Sequence, residues 1–506
     1  MLHRDPDAVV IGSGPNGLVA ACVLAKQGFR VLVLEANPRR PGGALGSEEA
    51  TEPGFIHDVG ASFFPFAKAS PAFRALGLSE HVEWAHARYE SCHPAPDGSF
   101  ACITREPERD AALFGGVRDG EAWRRLAAWH AKVETRMLAL LLGAFPSFGP
   151  VLALGPVNLL RMARMFASSG RGLAERSFES AAARRVMPGL ALHADVGPDD
   201  RFGAAMGYML GLVATTGGYP VPVGGAQRIT NALVRLLESH GGKVRLGARV
   251  TRVVVRDNRA AAVILDGGEE IKVGRAVLAD TAAASLLLDL VERAHVPGRV
   301  VRRMERFEQA WGTFKMDWAL TAPTPWTVGA ARESAVVHAG DSLDDLSRFT
   351  GQVRQGQLPD NPYLVIGQQT LPDPSRAPPG HHVLWAYTHV PPRLEGGWPA
   401  HAEAFADVVE KRIEGLAPGF RSRILARRIV TPDDLQAMDA NLVGGDLGGG
   451  SNAWNRQLVF RPVFPYFRYR MPVRGLYLCS SYAHPGAGVH GMCGYNAAER
   501  VVRDLG

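Results

Sequence analysis

Asp7-Ala-Val-Val-Ile-Gly-Ser-Gly-Pro-Asn-Gly-Leu18 is the stretch of sequence that decides the fold, together with Arg30-Val-Leu-Val-Leu-Glu35 a few residues later. Ala8 to Ile11 is an apolar run too short for a helix, so we predict a strand that leads directly into a glycine-rich turn. Leu18 to Lys26 carries apolar residues at helical spacing, and Val31 to Leu34 predicts a second buried strand. A strand, a glycine-rich turn, a helix and a strand that ends in an acid are the context of a dinucleotide-binding fingerprint.

Each part of this fingerprint has a physical role. Gly12 permits the tight turn, Gly14 lets the backbone approach a pyrophosphate, and Gly17 lets the helix and the strand pack closely. The N-terminus of the helix faces the negative charge of the phosphates. Glu35 ends the second strand, where it is placed to accept hydrogen bonds from a ribose hydroxyl. The alternative is a glycine-rich turn without a ligand, and the full context favours the dinucleotide site.

A second pair of glycines, Gly42 and Gly43, follows the acid and favours FAD over NAD. A second glycine loop suits the pyrophosphate and ribitol of a long cofactor, whereas NAD needs no second loop around it. The glycines of Val443 to Gly450 do not follow a strand, so we do not count them as another nucleotide site. We therefore predict one FAD and no site for a nicotinamide dinucleotide.

The composition limits the possible partners. The chain has 506 residues, a formal charge of +6 and a pI near 9.1, but its arginines are scattered and no aromatic residues interleave them. We therefore expect no nucleic acid partner, and an anionic membrane surface is the better match. The 5 cysteines are odd in number and lack a Cys-x-x-Cys pair, which argues against a disulfide framework. The N-terminus enters the first strand without a signal peptide, so we expect a reducing, cytoplasmic setting.

Met137 to Leu160 is a stretch of about 24 residues without a charge, long enough for a membrane span to be considered. Three prolines and three glycines interrupt it, and such breakers free backbone groups that lipid cannot satisfy. A buried helical cap, a re-entrant or surface-dipping anchor and a true span remain open. We predict that the stretch forms a wall or entrance of the substrate cavity and favours an apolar substrate. Arg136 and Arg161 flank it, where lipid phosphates would lie.

The middle of the chain alternates between helical and strand patterns. An amphipathic helix carries Ile229 to Leu237, and a helix that starts near His401 carries apolar residues up to Leu416. The predicted strands are Val244 to Val255, Ala260 to Leu265, Ile271 to Val273, Ala276 to Asp280, Thr313 to Leu320, Tyr363 to Gln369 and Val383 to His389.

The C-terminal segment predicts a strand from Gly475, a glycine-rich turn and a last helix. His490 lies in that turn and is the candidate catalytic base, with a structural imidazole as the alternative. His484, His490 and Cys493 lack a fourth ligand and a familiar spacing, so we expect no metal.

With both ends described, the sequence resembles the flavin-dependent phytoene desaturase-like family, which includes carotenoid desaturases and retinol saturase, within the amine-oxidase-type flavoprotein superfamily. The resemblance covers essentially the whole chain. Ala44 replaces the arginine that many amine oxidases have after the paired glycines. The resemblance is carried by the fingerprint and by Pro41-Gly-Gly-Ala44, Ser47-Glu-Glu49, Pro53-Gly-Phe55, Gly217-Gly-Tyr-Pro220, Asp373-Pro-Ser-Arg376, Gly475-Leu-Tyr-Leu-Cys479 and His484-Pro-Gly-Ala-Gly488.

The resemblance implies an α/β fold. Its Rossmann-type FAD-binding domain, of the glutathione-reductase-like type, is built from discontinuous segments, with an inserted mixed-sheet substrate domain and a helical cap. We place the FAD-binding segments at residues 1–71, 220–289 and 466–506. The helical cap and first substrate insertion then cover residues 72–219, and the second insertion covers residues 290–465.

The resemblance also implies the chemistry. Members of the family move two electrons between carbon–hydrogen bonds and the flavin N5, so we expect removal or addition of hydrogen across carbon–carbon bonds of an apolar isoprenoid or polyene. A redox-neutral isomerase with reduced FAD and a non-catalytic lipid or prenyl carrier are the alternatives, and the electron acceptor stays open. The predicted FAD contacts are Gly12, Gly14, Pro15, Asn16, Gly17, Glu35, Ala36, Gly42, Gly43, Ala44, Ser62, Val250, Ser481, Gly488, Val489 and His490.

Overall fold

Five parallel strands form the sheet of the nucleotide-binding part of the chain. The structure, a computed structural model, describes residues 5–505. Every residue of the two fingerprint strands is buried, because the strands share one core with the flanking helices and with a small antiparallel sheet. In spatial order the strands are Leu476–Leu478, Ala276–Ala279, Ala8–Ile11, Val31–Leu34 and Lys243–Arg245.

The helix Pro15–Lys26 starts directly after the glycine turn, with Pro15 in its first turn, where a missing N–H costs nothing. The C-terminal helix Met492–Leu505 and the helix Gln227–Ser239 pack against it. The sheet therefore collects one or two strands from each of the segments 1–71, 220–289 and 466–506. The exact domain boundaries stay a prediction.

A small antiparallel sheet follows the fifth strand, and here the sequence prediction needs a correction. Val244 to Val255 is two strands: Lys243–Arg245 joins the central sheet and Val250–Arg256 starts the small one. Gly247 lies between them with a φ of 62°, a left-handed conformation that turns the chain. The small sheet is completed by Arg259–Leu265 and Glu270–Lys272.

A mixed sheet of seven strands forms the second layer of the molecule. Only the pair Tyr89–Pro94 and Ser334–Ala339 is parallel among its described pairings. One face packs against the helix Ala402–Leu416 and the other faces the helical region. In spatial order the strands are Ile424–Val430, Gly312–Leu320, His382–Val390, Leu364–Gly367, Ser334–Ala339, Tyr89–Pro94 and Phe100–Ile103. The predicted α/β class, with an inserted mixed sheet, is confirmed.

The remaining elements are short strands and helices. Two-stranded ribbons pair Ser47–Glu49 with Ile56–Asp58 and Trp84–Ala85 with Val221–Pro222. The other helices are Pro71–Ala75, Val117–Leu142, Phe148–Phe166, Gly170–Ser177, Ala181–Arg184, Val186–Ala191, Gly203–Thr216, Ala283–Ser285, Gly298–Met304, Leu343–Arg354 and Pro432–Met438.

The uncharged stretch from Met137 to Leu160 is divided between two helices. The first helix ends at Leu142, and the second starts at Phe148 and is kinked where Gly155 adopts a φ of 71° before Pro156. Within residues 5–505, none of the helices combines the length and the apolar character that a membrane span requires.

One buried arginine joins the two layers. Arg376 Nη1 lies 3.0 Å from Asp58 Oδ2, and Arg376 Nε lies 2.8 Å from Asp373 Oδ2, with all three side chains buried. Asp58 Oδ1 also accepts hydrogen bonds from Ser47 Oγ and from the backbone N–H of Ala226. Asp58 and Asp373, which belong to distant sequence motifs, both neutralise this buried cation, whose burial would otherwise be costly.

Candidate active site

A single large cavity extends from the glycine turn of the central sheet to the mixed sheet. Its volume of about 1890 Å³ exceeds the roughly 300–1,000 Å³ of a typical small-molecule site. The cavity therefore has room for a dinucleotide and for a second molecule beside it.

Most of the predicted cofactor contacts lie on the wall of this cavity. Gly17 and Gly42 do not; they lie behind the wall, where the Gly17 N–H donates to Asp280 Oδ2 and the Gly42 N–H donates to Ser13 Oγ. The predicted residues that line the cavity are Gly12, Gly14, Pro15, Asn16, Glu35, Ala36, Gly43, Ala44, Ser62, Val250, Ser481, Gly488, Val489 and His490.

The glycine turn packs against Asp280, which follows the strand Ala276–Ala279. A Cβ atom on Gly14 would lie 2.5 Å from Asp280 Oδ2, so any larger residue at this position would have to displace that carboxyl group. Burial raises the pKa of Asp280 to about 7, and the nearby carboxylates of Asp439 and Glu35 act in the same direction. The turn therefore has an acid beside it that keeps its proton to a much higher pH than an ordinary aspartate and can donate a hydrogen bond in its protonated form.

Glu35 organises the turn as well as facing the cavity. Its Oε2 accepts a hydrogen bond of 2.9 Å from the backbone N–H of Ser13 and another from Ser13 Oγ. Its Oε1 accepts the backbone N–H of Asn37 at 2.8 Å. The residue is 8% exposed, and these donors hold its carboxylate at the end of its strand, where the fingerprint predicts contact with a ribose.

Arg40 is a cavity residue that the sequence analysis missed. Its Nη1 is buried, and no described residue accepts a hydrogen bond from it. Burial lowers the pKa of this guanidinium, but an arginine in proteins stays charged. A half-buried guanidinium with one unpaired buried nitrogen, beside a glycine turn and a helix N-terminus, fits the phosphates of an extended dinucleotide. Its position directly before the Pro41-Gly-Gly43 loop was the available signal.

The mixed sheet adds a buried lysine to the cavity. Lys315 lines the wall, and its Nζ lies 2.6 Å from Asp317 Oδ1. Asp317 also lies 3.6 Å from His57 Nδ1, and burial lowers the pKa of His57 to about 4, so that imidazole is neutral. The alternation of Thr313, Lys315 and Asp317 with apolar residues was a signal in the sequence that one face of this strand is polar.

The candidate base His490 makes contacts that suit a structural role. Its Nδ1 accepts the backbone N–H of Met492 at 3.0 Å, at the start of the last helix, and its ring packs edge-on against Phe66. Burial lowers the pKa of His490 to about 4. The ring lines the cavity, but one nitrogen is already used, which favours the structural alternative over the base.

The part of the wall that faces away from the glycine turn is mainly apolar. The carbon-rich side chains come from the helical region and from one face of the mixed sheet. They include Leu140, Leu141, Leu142, Phe145, Phe166, Leu190, Met206, Met209, Leu210, Val336, Val365 and Trp385. The prediction that part of Met137 to Leu160 forms a cavity wall agrees with the position of its three consecutive leucines.

Replacing Glu35 with alanine is expected to weaken FAD binding while the protein stays folded. The variant loses the proposed ribose contact and the acceptor that fixes Ser13, worth about 1–3 kcal/mol or roughly ten- to a hundred-fold in Kd. The Kd can be measured by titrating FAD into stripped protein. Glu49→Ala, at an exposed site, is the control, and equal affinities for both variants would contradict the assignment.

Replacing Asp280 with asparagine is expected to change how stability depends on pH. The folded protein raises the pKa of Asp280 from 3.8 to about 7. The contribution of Asp280 to the free energy of unfolding is therefore fully present below about pH 4. It falls by up to a few kcal/mol as the pH rises towards about 7. The asparagine side chain cannot ionise, so the Tm of the variant should gain on the wild type across this window. Measuring the Tm of both FAD-loaded proteins from about pH 4 to about pH 8 checks this, and parallel curves would refute it.

Comparisons with known proteins agree with a dinucleotide-binding domain that begins at the glycine turn. Residues 10–76 match the family model described as NAD(P)-binding Rossmann-like domain. The pyridine nucleotide-disulfide oxidoreductase domain-containing protein 2 of Mus musculus is 30% identical over 100% of this chain and 94% of its own length. The lycopene-forming phytoene desaturase of Pseudescherichia vulneris is 26% identical over 96% of both chains. Prolycopene isomerase 2 of an Oncidium hybrid cultivar is 27% identical over 99% of this chain and 84% of its own.

A solved structure shares the fold at low sequence identity. The oxidoreductase from Methanosarcina mazei has a TM-score of 0.65 and 17% identity, covering 98% of this chain and 99% of its own. This likeness concerns the fold.

Proposed function

The chain belongs to the phytoene desaturase-like family of FAD-dependent oxidoreductases, and on that premise we propose that it oxidises or reduces a carbon–carbon bond of an apolar isoprenoid or polyene. FAD is the cofactor, and when bound it supplies the two-electron acceptor or donor. The protein contributes the binding of both molecules and a cavity that excludes water.

The observation that carries the proposal is the apolar wall of the cavity. Leu140, Leu141 and Met209 are among the side chains that meet in it, and they come from two separate helices. Burial of a substrate against such a wall is driven by the hydrophobic effect, at about 25 cal/mol for each Å² of apolar surface. A hydrocarbon chain gains most from this environment.

We assign the polar end of the cavity to the cofactor. The backbone of Gly12 and Gly14, the helix that starts at Pro15 and the cation of Arg40 would hold the pyrophosphate. Glu35 would accept hydrogen bonds from the ribose, and the turn from Gly488 to His490 would lie against the flavin ring. No residue is assigned as the base; a proton leaving the substrate would pass to solvent or to a group beside the ring.

The proposal is tested by incubating the FAD-loaded protein with a panel of C20 to C40 isoprenoids and measuring the masses of the products. A change of two hydrogens supports it, provided that FAD-free protein gives no change. Recovery of every compound unaltered in mass and geometry would contradict it.

A second outcome has a specific observation behind it, since one relative of similar coverage is a prolycopene isomerase. A product of unchanged mass but altered double-bond geometry, formed only when the flavin is reduced, would indicate a redox-neutral isomerase. The same experiment therefore separates the two candidates.

We also propose that the mouth of the cavity contacts a membrane surface. Phe148, Leu152 and Val157 are 75%, 82% and 78% exposed, although each is a large apolar side chain on the helix after the apolar wall. Trp454 lines the cavity and is 59% exposed, so the mouth is apolar as well. The exposed Arg161 lies near the end of the same helix, where a cation would meet lipid phosphates.

Replacing Leu152 and Val157 with glutamate is expected to reduce vesicle binding by roughly ten-fold or more, because two apolar contacts are lost and two negative charges are added. Sedimentation with vesicles of phosphatidylserine and phosphatidylcholine measures the binding. Leu425→Glu, at a site that is 51% exposed on the mixed sheet, is the control. Binding equal to that of the wild type would place the apolar helix away from the membrane.

A further inference from the structure

Three polar or amphipathic side chains stand in a row on the cavity side of one strand of the mixed sheet. Trp385, Tyr387 and His389 alternate along His382–Val390, and all three line the cavity. Their neighbours Leu384 and Ala386 point into the core on the opposite side of the sheet. The apolar wall is therefore interrupted by a phenol and an imidazole that are two residues apart.

His389 is buried and has no hydrogen-bond partner. It is 6% exposed, and neither ring nitrogen pairs with any residue of the described chain. Backbone groups of Gly312, Leu192 and His193 approach the ring but do not reach hydrogen-bonding geometry. Buried polar groups are nearly always paired, so an exception that faces a cavity calls for a ligand.

Tyr387 is the end of a chain of hydrogen bonds that is half-buried at Tyr387 and His193 and buried beyond them. Its hydroxyl lies 2.9 Å from His193 Nδ1, and His193 Nε2 lies 2.9 Å from His338 Nε2. His338 Nδ1 lies 2.8 Å from Ser91 Oγ, which lies 3.0 Å from His93 Nε2. In each of these hydrogen bonds the donor and the acceptor can exchange roles, because hydroxyls and neutral imidazoles both donate and accept. The oxygen of Tyr387 can therefore offer the cavity either a proton or a lone pair.

The charge around these side chains selects a neutral ligand. Burial lowers the pKa of His193 to about 3 and also lowers that of His389, so both imidazoles are uncharged. Asp195 lies beside His389, with its carboxylate bound to Ser451 Oγ and to the backbone N–H of Asn452, both at 2.7 Å. A carboxylate ligand would meet this negative charge, and Lys315, the cation opposite Tyr387 on the neighbouring strand, is already neutralised by Asp317.

We propose that Tyr387 and His389 form an oxygen subsite, which binds a hydroxyl or carbonyl group of an otherwise apolar substrate. This inference rests on the proposed function and narrows it from a pure hydrocarbon to an isoprenoid alcohol, aldehyde or ketone. Tyr387 and His389 touch the ligand, whereas His193 and His338 are positioning residues that orient the phenol.

The test compares four probes with the same C15 chain: farnesol, farnesal, farnesoic acid and the hydrocarbon β-farnesene. Their Kd values are obtained from the change in the absorption of the oxidised flavin, without turnover. Farnesol and farnesal should bind roughly ten- to a hundred-fold more tightly than β-farnesene, because the hydrocarbon leaves the buried imidazole unpaired. Farnesoic acid, ionised at neutral pH, should lose most of this advantage.

Two variants test whether Tyr387 and His389 cause the preference for an oxygen-containing probe. Tyr387→Phe and His389→Leu should each reduce the ratio of the β-farnesene Kd to the farnesol Kd to within a few-fold of one, with unchanged FAD content. Tyr387→Phe keeps the shape of the side chain, so it decides the matter even if His389→Leu fails to fold. His81→Leu, which removes an exposed histidine outside the cavity, is the control and should keep the wild-type ratio.

The outcomes separate the subsite from the function on which it depends. Equal binding of farnesol and β-farnesene to the wild type would overturn the subsite and leave the apolar substrate intact. A loss of FAD from folded Tyr387→Phe would also overturn it, because the phenol would then serve the cofactor. If none of the probes bound to the wild type, the subsite would be overturned, whereas the proposed function is decided separately by the product masses of the C20 to C40 panel.

Discussion

Gly12→Val is expected to yield a folded protein without flavin. Gly12 has a φ of 92°, and a Cβ atom there would lie 2.8 Å from the backbone oxygen of Asp280. That oxygen cannot retreat, because the N–H of Asp280 donates to the carbonyl of Ile11 across the central sheet. Strain and overlap of about 2–5 kcal/mol in total would open the turn and weaken FAD binding by roughly 10²- to 10⁴-fold.

The measurement is the ratio of flavin to protein after dialysis, with the released cofactor identified after acid precipitation. Gly28→Val is the matched control: Gly28 ends the same helix region with a φ of 84°, but a Cβ atom there meets nothing within 4 Å. The control carries a similar conformational cost and should keep its FAD. Full occupancy in Gly12→Val would refute the placement of the pyrophosphate at this turn.

Replacing both Leu140 and Leu141 with serine is expected to reduce kcat/KM for an apolar substrate by roughly 10- to 10²-fold. Both side chains are half-buried and line the cavity. Full burial of a leucine is worth about 1.5–3 kcal/mol, so the substrate's burial of the remaining half of both side chains amounts to roughly 1.5–3 kcal/mol in total. Leu142 is left in place, because it belongs to the buried core of the nucleotide-binding part.

The flavin content of this double variant should equal that of the wild type, since neither leucine belongs to the proposed FAD contacts. Leu425→Ser, at an exposed position on the mixed sheet, is the control for the loss of a leucine. A double variant with normal flavin content and wild-type kcat/KM would show that the substrate lies elsewhere.

The nucleotide-binding part was predictable because its signals are local. Ala8–Ile11 and Val31–Leu34 are short, fully apolar and separated by a glycine turn and a helix, and the structure has both strands at the predicted bounds. The prediction of one strand from Val244 to Val255 was wrong because the β-rich composition on both sides of Gly247 outweighed a single glycine that turns the chain.

Composition alone could not predict which part of Met137 to Leu160 lines the cavity and which part is exposed. Leu140 and Leu141 line the cavity, whereas Leu152 and Leu160 are 82% and 61% exposed. All four have the same chemistry, and only the break between the two helices, with the neighbours that each helix meets, separates them.

The oxygen subsite was missed for a related reason. His193 and Tyr387 are far apart in the sequence, and only the packing of the helical region on the mixed sheet brings them to 2.9 Å. The dinucleotide-binding fingerprint consists of residues that are close together in the sequence. The histidine and tyrosine cluster depends instead on long-range contacts, which no local spacing of residues indicates. By contrast, the alternation of polar and apolar residues from Thr313 to Asp317 is visible in the sequence. It predicts that one face of this strand, the face that carries Lys315, is polar.

Anaerobic mixing of the FAD-loaded protein with candidate electron donors tests the central claim most directly. We predict that an isoprenoid substrate bleaches the yellow absorption of the oxidised flavin, and that NADH and NADPH leave it unchanged, because the chain has one dinucleotide fingerprint and it is assigned to FAD. Rapid bleaching by NADH or NADPH, with none by any isoprenoid, would contradict the account.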